Sequence, residues 1–179
     1  VLHCPFCHGW EVRDQRIAII ANDERAVHQA MLFRQLSDQI TVFLNETFEP
    51  ADDHMKQLAA LNATIVKPRI KRLVVERTQV QAVETGDGRV FDVDAVVVAP
   101  HFNARTELYE ALGGTEEVVL FGKQIPTDAR GMTKVPGVWA AGNANQPMTM
   151  VSAAAAAGVG VGTAVHGDLL VADLNQGLA

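Results

Sequence analysis

The sequence predicts an α/β fold in which a parallel sheet is followed by an antiparallel meander. Three observations carry this. Residues 16–21 and 40–44 are apolar runs apart from Arg16 and Thr41, as in strands covered on both faces, and between them apolar residues recur at helical spacing. Strand, helix and strand within about thirty residues form a right-handed βαβ unit. Beyond residue 70 the period falls to two, which marks half-exposed antiparallel strands.

Taken in order, Arg13-Asp14-Gln15 is a polar turn before the first strand at residues 16–21. Asn22 and Asp23 can cap the next helix, where Ala26, Val27, Ala30, Met31 and Phe33 share a face until Ser37-Asp38 ends the pattern. The second strand is residues 40–44. A short helix over 50–61, with Met55, Leu58, Ala59 and Leu61 inward, leads to a third strand at 64–66. Residues 71–76, 79–85 and 89–93 alternate and turn at Gly86-Asp87-Gly88, predicting the meander. Residues 94–99 predict a buried central strand that Pro100 stops.

After Pro100 the texture is loop-rich: a short helix near 107–112, Gly113-Gly114, then a short strand within 137–143 closed by glycine. A terminal helix from Met150 to about Leu174 follows Pro147, with Ala and Gly on a face expected to pack closely. Its small-residue run, 151–165, is expected to be too short and too weakly apolar to span a membrane.

The 179 residues are 48% hydrophobic with a net charge of −6, which suits a soluble globular protein and disfavours nucleic acid or an anionic membrane as partner. Two cysteines are too few for a secreted disulfide scaffold, and no basic-then-apolar leader precedes them, so a cytoplasmic setting is expected.

Both cysteines lie in Cys4-Pro5-Phe6-Cys7. One thiolate of such a pair attacks a substrate disulfide and the second resolves the mixed disulfide. His8, next to Cys7, is the candidate general acid/base. Structural cysteines are the bland alternative. Zinc is not expected, because a second ligand pair is missing from the sequence. A glutaredoxin-like site would follow a strand and open a helix, whereas only three residues precede Cys4 and a polar turn follows Trp10.

The order Cys-Pro-Phe-Cys-His-Gly-Trp-Glu, a βαβ unit, and Val-Pro-Gly-Val-Trp-Ala-Ala-Gly-Asn near the end resembles the thioredoxin reductase-like flavoproteins of the pyridine nucleotide-disulfide oxidoreductase family. The resemblance covers essentially the whole chain. It implies a redox segment at 1–12, a Rossmann-like NAD(P)-binding domain at 13–100, and the C-terminal part of an FAD-binding domain at 101–179. It makes Cys4 the thiol that meets substrate and Cys7 the one that exchanges electrons with FAD, with His8 where an acid usually stands. Gly142 and Asn143 match the flavin motif, and the helix opening near Thr149 and Met150 would face the flavin. Relatives often carry Asp for Asn143 and Gln for Met150.

Family members begin with a strand and a Gly-x-Gly-x-x-Gly loop for the flavin pyrophosphate. The chain is therefore expected to be a C-terminal part of such an enzyme that binds FAD weakly alone. Its own nicotinamide loop, residues 21–26, lacks glycine and carries Asp23 and Glu24, so a degenerate or poor site is expected. Asn22, Asp23 and Glu46 are the candidate residues there, and Glu46 would favour NADH over NADPH. The resemblance implies a thioredoxin-like protein or a small dithiol or disulfide as substrate, and the terminal helix suggests a homodimer or larger assembly. A dithiol oxidase and a non-catalytic interaction module are the alternatives.

Overall fold

The sheet that organises the first half of the chain alternates its side chains between two apolar cores, which is why its strands read as continuous hydrophobic runs. The computed structural model describes residues 1–178. These divide into two units, Val1–Pro100 and His101–Ala179.

In the first unit a one-turn helix α1 (Pro5–His8) and a 3₁₀ turn (Trp10–Val12) precede β1 (Ile17–Ile20), α2 (Arg25–Arg34), β2 (Ile40–Phe43), α3 (Asp52–Ala60) and β3 (Thr64–Val66). The meander is β4 (Ile70–Glu76), β5 (Gln79–Thr85) and β6 (Val90–Asp92), and β7 (Ala95–Val98) returns to the parallel sheet. The sheet order is β3-β2-β1-β7, with Ile17 opposite both Ile40 and Ala95. The strand expected to be central is thus at the edge. Leu2 covers that edge by a parallel bridge to Val97, donating its N–H to Val96 and accepting from Val98.

Ile17, Ile19, Val42 and Val97 point to α2 and α3, packing with Ala26, Val27, Ala30, Phe33 and Leu58. The intervening Ala18, Phe43, Val66 and Val96 point the other way and pack under the meander with Val83 and Val93. Phe43 and Phe91 meet edge to face with centroids 5.4 Å apart, joining sheet to meander. Each fully buried Val, Ile or Phe of these cores, Phe43 among them, contributes about 1.5–3 kcal/mol by burial. The meander's one buried carboxylate, Glu84, accepts from Lys71 and Arg72 at 2.6 Å each, and the Lys71 and Arg72 hydrogen bonds hold it below the usual carboxylate range.

The second unit contains β8 (Phe102–Asn103), α4 (Glu107–Ala111), β9 (Glu117–Val119), β10 (Gly122–Gln124) and α5 (Val151–Gly177). The small sheet β8-β10-β9 was not legible as strands. Gly122, at φ 141°, is required in it, since a Cβ there would lie 2.1 Å from the Phe102 carbonyl oxygen. The strand expected within 137–143 is reduced to a Met132–Trp139 bridge and a 3₁₀ turn at Gly142–Ala144. Tyr109, Ile125 and Ala140 form this unit's core.

Two expectations for the last helix are corrected. It continues past the small-residue run through Leu169, Leu170, Val171 and Leu174, so its 27 residues are long and apolar enough to cross a membrane by length and composition. It is also not tightly packed: Ala164 is its one buried residue among those described, and Gly158, Gly160 and Gly162 face open space.

Candidate functional site

Pro5 sits in the first turn of α1, where its missing N–H costs nothing, and so the Cys-x-x-Cys motif closes into a single helical turn. The local setting is therefore closer to a motif that opens a helix than the sequence suggested. Cys4 takes the extended N-cap position at φ −127°, and Cys7 is brought one turn above it. The two are free thiols, with Cys7 Sγ donating to Cys4 Sγ at 3.0 Å. That hydrogen bond, then partial desolvation, pushes the Cys7 pKa up, because both favour the protonated form.

Gly9 ends the turn. A Cβ there would stand 2.4 Å from the Pro5 carbonyl oxygen and 2.5 Å from Leu36 Cδ1, so only glycine lets the motif seat against Leu36. His8 Nδ1 lies 3.7 Å from Glu11 Oε1, both exposed, so His8 pairs with Glu11 and not with a sulfur. Phe6 and Trp10 leave their rings exposed beside the thiols, and the Arg13 guanidinium covers the Trp10 ring at 4.4 Å. Leu2 and Gly9 went unnoticed in the sequence, since one depends on a partner 95 residues away and the other on a contact with Leu36.

The candidate flavin residues are gathered in the second unit. Gly142 adopts φ 68°, which turns the chain into the segment leading to α5. Asn143 Nδ2 donates to the carbonyls of Pro147 (2.9 Å) and Thr149 (3.2 Å), so this amide clips the loop shut. Thr149 Oγ1 donates to Gln146 Oε1 at 3.3 Å, and Met150, the exposed N-cap of α5, bears no polar group. The first intrahelical bond runs from Ala154 N to Met150 O, leaving the N–H groups of residues 151–153 open at the positive end of the helix. A glycine turn followed by unpaired helix N–H groups fits one edge of FAD.

The nicotinamide loop does not fit its ligand. A dinucleotide pyrophosphate needs close backbone approach and a bare helix N-terminus. Here Asp23 Oδ1 already accepts from Arg25 N at 2.9 Å, and the same carboxylate grips the Arg25 guanidinium at 2.7–2.9 Å. Arg25 also reaches the carbonyls of Ala99 and Pro100, and Asn22 Nδ2 reaches Ala99 O, each at 3.3 Å. These side chains therefore close the crevice at the carboxyl ends of β1 and β7, where the strand order reverses. The Asp23 hydrogen bond raises the Arg25 pKa further. Glu46 is on the left-handed turn after β2, next to Thr47, whose hydroxyl donates to the Ala21 carbonyl at 2.7 Å, and it lines a depression of about 500 Å³ with Phe48, Met55 and Lys67.

Residues 11–158 match the family described as pyridine nucleotide-disulphide oxidoreductase. The protein HlmI superposes with a TM-score of 0.85 at 35% identity, over 99% of this chain and 55% of its own. A protein described as thioredoxin reductase TrxB of Bacillus anthracis gives 0.80 at 25% identity, over 94% of this chain and 56% of its own. The ferredoxin–NADP reductase of Symbiobacterium thermophilum is 26% identical over 139 residues, 72% of this chain and 40% of that protein. The chain thus spans about half the length of the solved structures and less than half of that curated relative. By the span of the family match and the fold it shares with these proteins, the chain belongs to the pyridine nucleotide-disulphide oxidoreductase family, in its thioredoxin reductase-like form.

Proposed function

We propose that this chain carries the redox pair of an FAD-dependent thiol–disulfide oxidoreductase. The single observation that supports it most is the Cys4/Cys7 dithiol, with Cys4 half-buried and Cys7 exposed, its sulfurs 3.0 Å apart on one helical turn. With a dithiol substrate, a substrate thiolate attacks Cys4 of the Cys4–Cys7 disulfide, forming a mixed disulfide and releasing Cys7. The second substrate thiol then attacks its own bonded sulfur and releases Cys4. Two electrons and two protons have moved from substrate to the pair. Gly142, Asn143 and the α5 N-terminus would hold FAD, which when bound would supply a two-electron acceptor, or a donor if flow is reversed. His8, next to Cys7 in the sequence, is the proposed proton carrier for the Cys7 thiol, a role that requires its imidazole to leave Glu11, 3.7 Å away.

The closed Asp23–Arg25 loop favours oxidation of a small dithiol over reduction of a thioredoxin-like protein at the expense of NADPH or NADH. The same loop is what favours the second reading, a non-catalytic interaction module. Also as proposals, the protein acts in the cytoplasm, binds neither nucleic acid nor membrane, and self-associates; the acidic net charge speaks against nucleic acid and an anionic lipid surface only, and the exposed apolar residues of α5 support self-association.

The test is turnover of dithiothreitol or dihydrolipoamide by the FAD-loaded full protein, with Cys4→Ser and Cys7→Ser alongside. Both substitutions are expected to abolish turnover. Wild-type rates in either would overturn the relay, and a wild-type pair that never cycles would leave the module reading.

A further inference from the structure

We infer that Gln29 is a positioning residue for the redox pair, its carboxamide fixing where Cys4 stands; this rests on Cys4 and Cys7 being a working couple. Gln29 lies in the second turn of α2, only 8% exposed, among Ala26, Val27, Ala30 and Phe33. An aliphatic side chain would fill that place with no polar cost. Instead Nε2 donates to the carbonyl of His3 at 3.1 Å and to that of Val98 at 2.9 Å. Both partners are acceptors only, so chemistry fixes the amide's orientation. Its Oε1 is buried and meets no donor among the described residues. An amide kept in a core with one end unsatisfied is costly, and here the cost coincides with a junction the fold needs.

The two carbonyls identify that junction. Backbone pairing between the N-terminal segment and β7 includes Leu2 N to Val96 O (2.8 Å) and Val98 N to Leu2 O (3.0 Å). The His3 and Val98 carbonyls are the next acceptors along the two segments. Gln29 therefore extends the ladder by a side chain, joining the last residue of β7 to the residue directly before Cys4. Beyond Cys4 the motif is held by its own helical turn, Gly9 N to Pro5 O at 2.8 Å, and by Gly9 against Leu36. Gln29 is thus a side-chain tie on the Cys4 side of the pair, next to the Leu2 backbone bonds.

Oxidation forms the Cys4 Sγ–Cys7 Sγ bond as two S–H bonds break. With glutathione disulfide as oxidant, the two electrons and two protons yield two glutathione thiols. Holding the sulfurs near one another lowers the entropic cost of closure, so the tie favours the disulfide.

The experiment equilibrates the wild-type chain and its variants with glutathione buffers and counts thiols by alkylation. Gln29→Met, similar in volume but without donors, is expected to lower the equilibrium constant for disulfide formation about tenfold, equal to about 30 mV for this two-electron couple. Gln29→Asn, one methylene too short to reach both carbonyls, is expected to move the same way and serves if the Met variant does not fold. Val27→Ala removes buried atoms from the same helix and carries no donor for either carbonyl; it should lose stability with the constant within about twofold of wild type. A constant unchanged in the Gln29 variants while the wild-type pair cycles normally overturns the positioning role alone. A wild-type pair that cannot be cycled overturns the redox reading and the positioning role together.

Discussion

The Cys7 thiol donates to Cys4 Sγ at 3.0 Å. Because the hydrogen bond stabilises the protonated Cys7, its thiolate appears only at higher pH than an ordinary cysteine's. Cys4→Ala removes the acceptor, so the Cys7 pKa is expected to fall back toward the usual thiol range. Site-resolved alkylation across pH should show the Cys7 midpoint moving down in the variant; an unmoved midpoint would discard the hydrogen bond as the cause. Gln29 operates at this same scale, and the sequence hid both, because a buried glutamine in a helix has the same periodicity as any core residue. The cysteines and His8 were plain in the sequence by chemistry and spacing, but the pairing of His8 with Glu11 was not.

Among elements, tight seating matters more than propensity. Gly9→Ala keeps an acceptable φ of −71° yet drives a Cβ into the Pro5 carbonyl and Leu36. It is expected to cost about 1–3 kcal/mol in denaturant unfolding and to speed Cys4 alkylation, since α1 must lift from Leu36. The starts of β1 and β7 are tied by Arg16 and Asp94: Nε to Oδ2 at 2.9 Å, Nη2 to Oδ1 at 2.6 Å, and Arg16 N to Oδ2 at 2.9 Å. The Arg16 hydrogen bond is the main cause that holds the Asp94 carboxyl below the usual range. A depressed folded-state pKa gives stability that is present above the unfolded value, about 3.9, and is lost as pH falls through the folded one. With the carboxylate 40% exposed, solvent screening leaves a contribution of about 1 kcal/mol. Wild type should therefore lose stability faster than Asp94→Asn as pH drops below about 4; parallel losses would show that the pair contributes nothing. The βαβ unit and meander were legible because their periods are 3.6 and 2, whereas β8, β9 and β10 are too short for any period to register.

For the whole molecule, the closed crevice predicts weak nicotinamide nucleotide binding. Calorimetric titration with NADPH should show no sub-micromolar site, and Glu46→Arg should not create one, because Asp23 and Arg25 still occupy the α2 N-terminus; tight binding in either protein would refute the closure. Self-association belongs to this scale as well. Leu169, Leu170, Val171 and Leu174 are all at least half exposed on α5. Sedimentation is expected to show a dimer or larger species, and a monomer at high micromolar concentration would count against it. The sequence by itself determined the family and the α/β order, because these follow from residue types and local spacing. Tertiary structure alone decided that Leu2 covers β7, that Gln29 ties His3 to Val98, and that Arg25 closes over Ala99 and Pro100. Each of these joins residues some 25 to 95 positions apart, and a contact across that distance exists only once the sheet has brought the segments together.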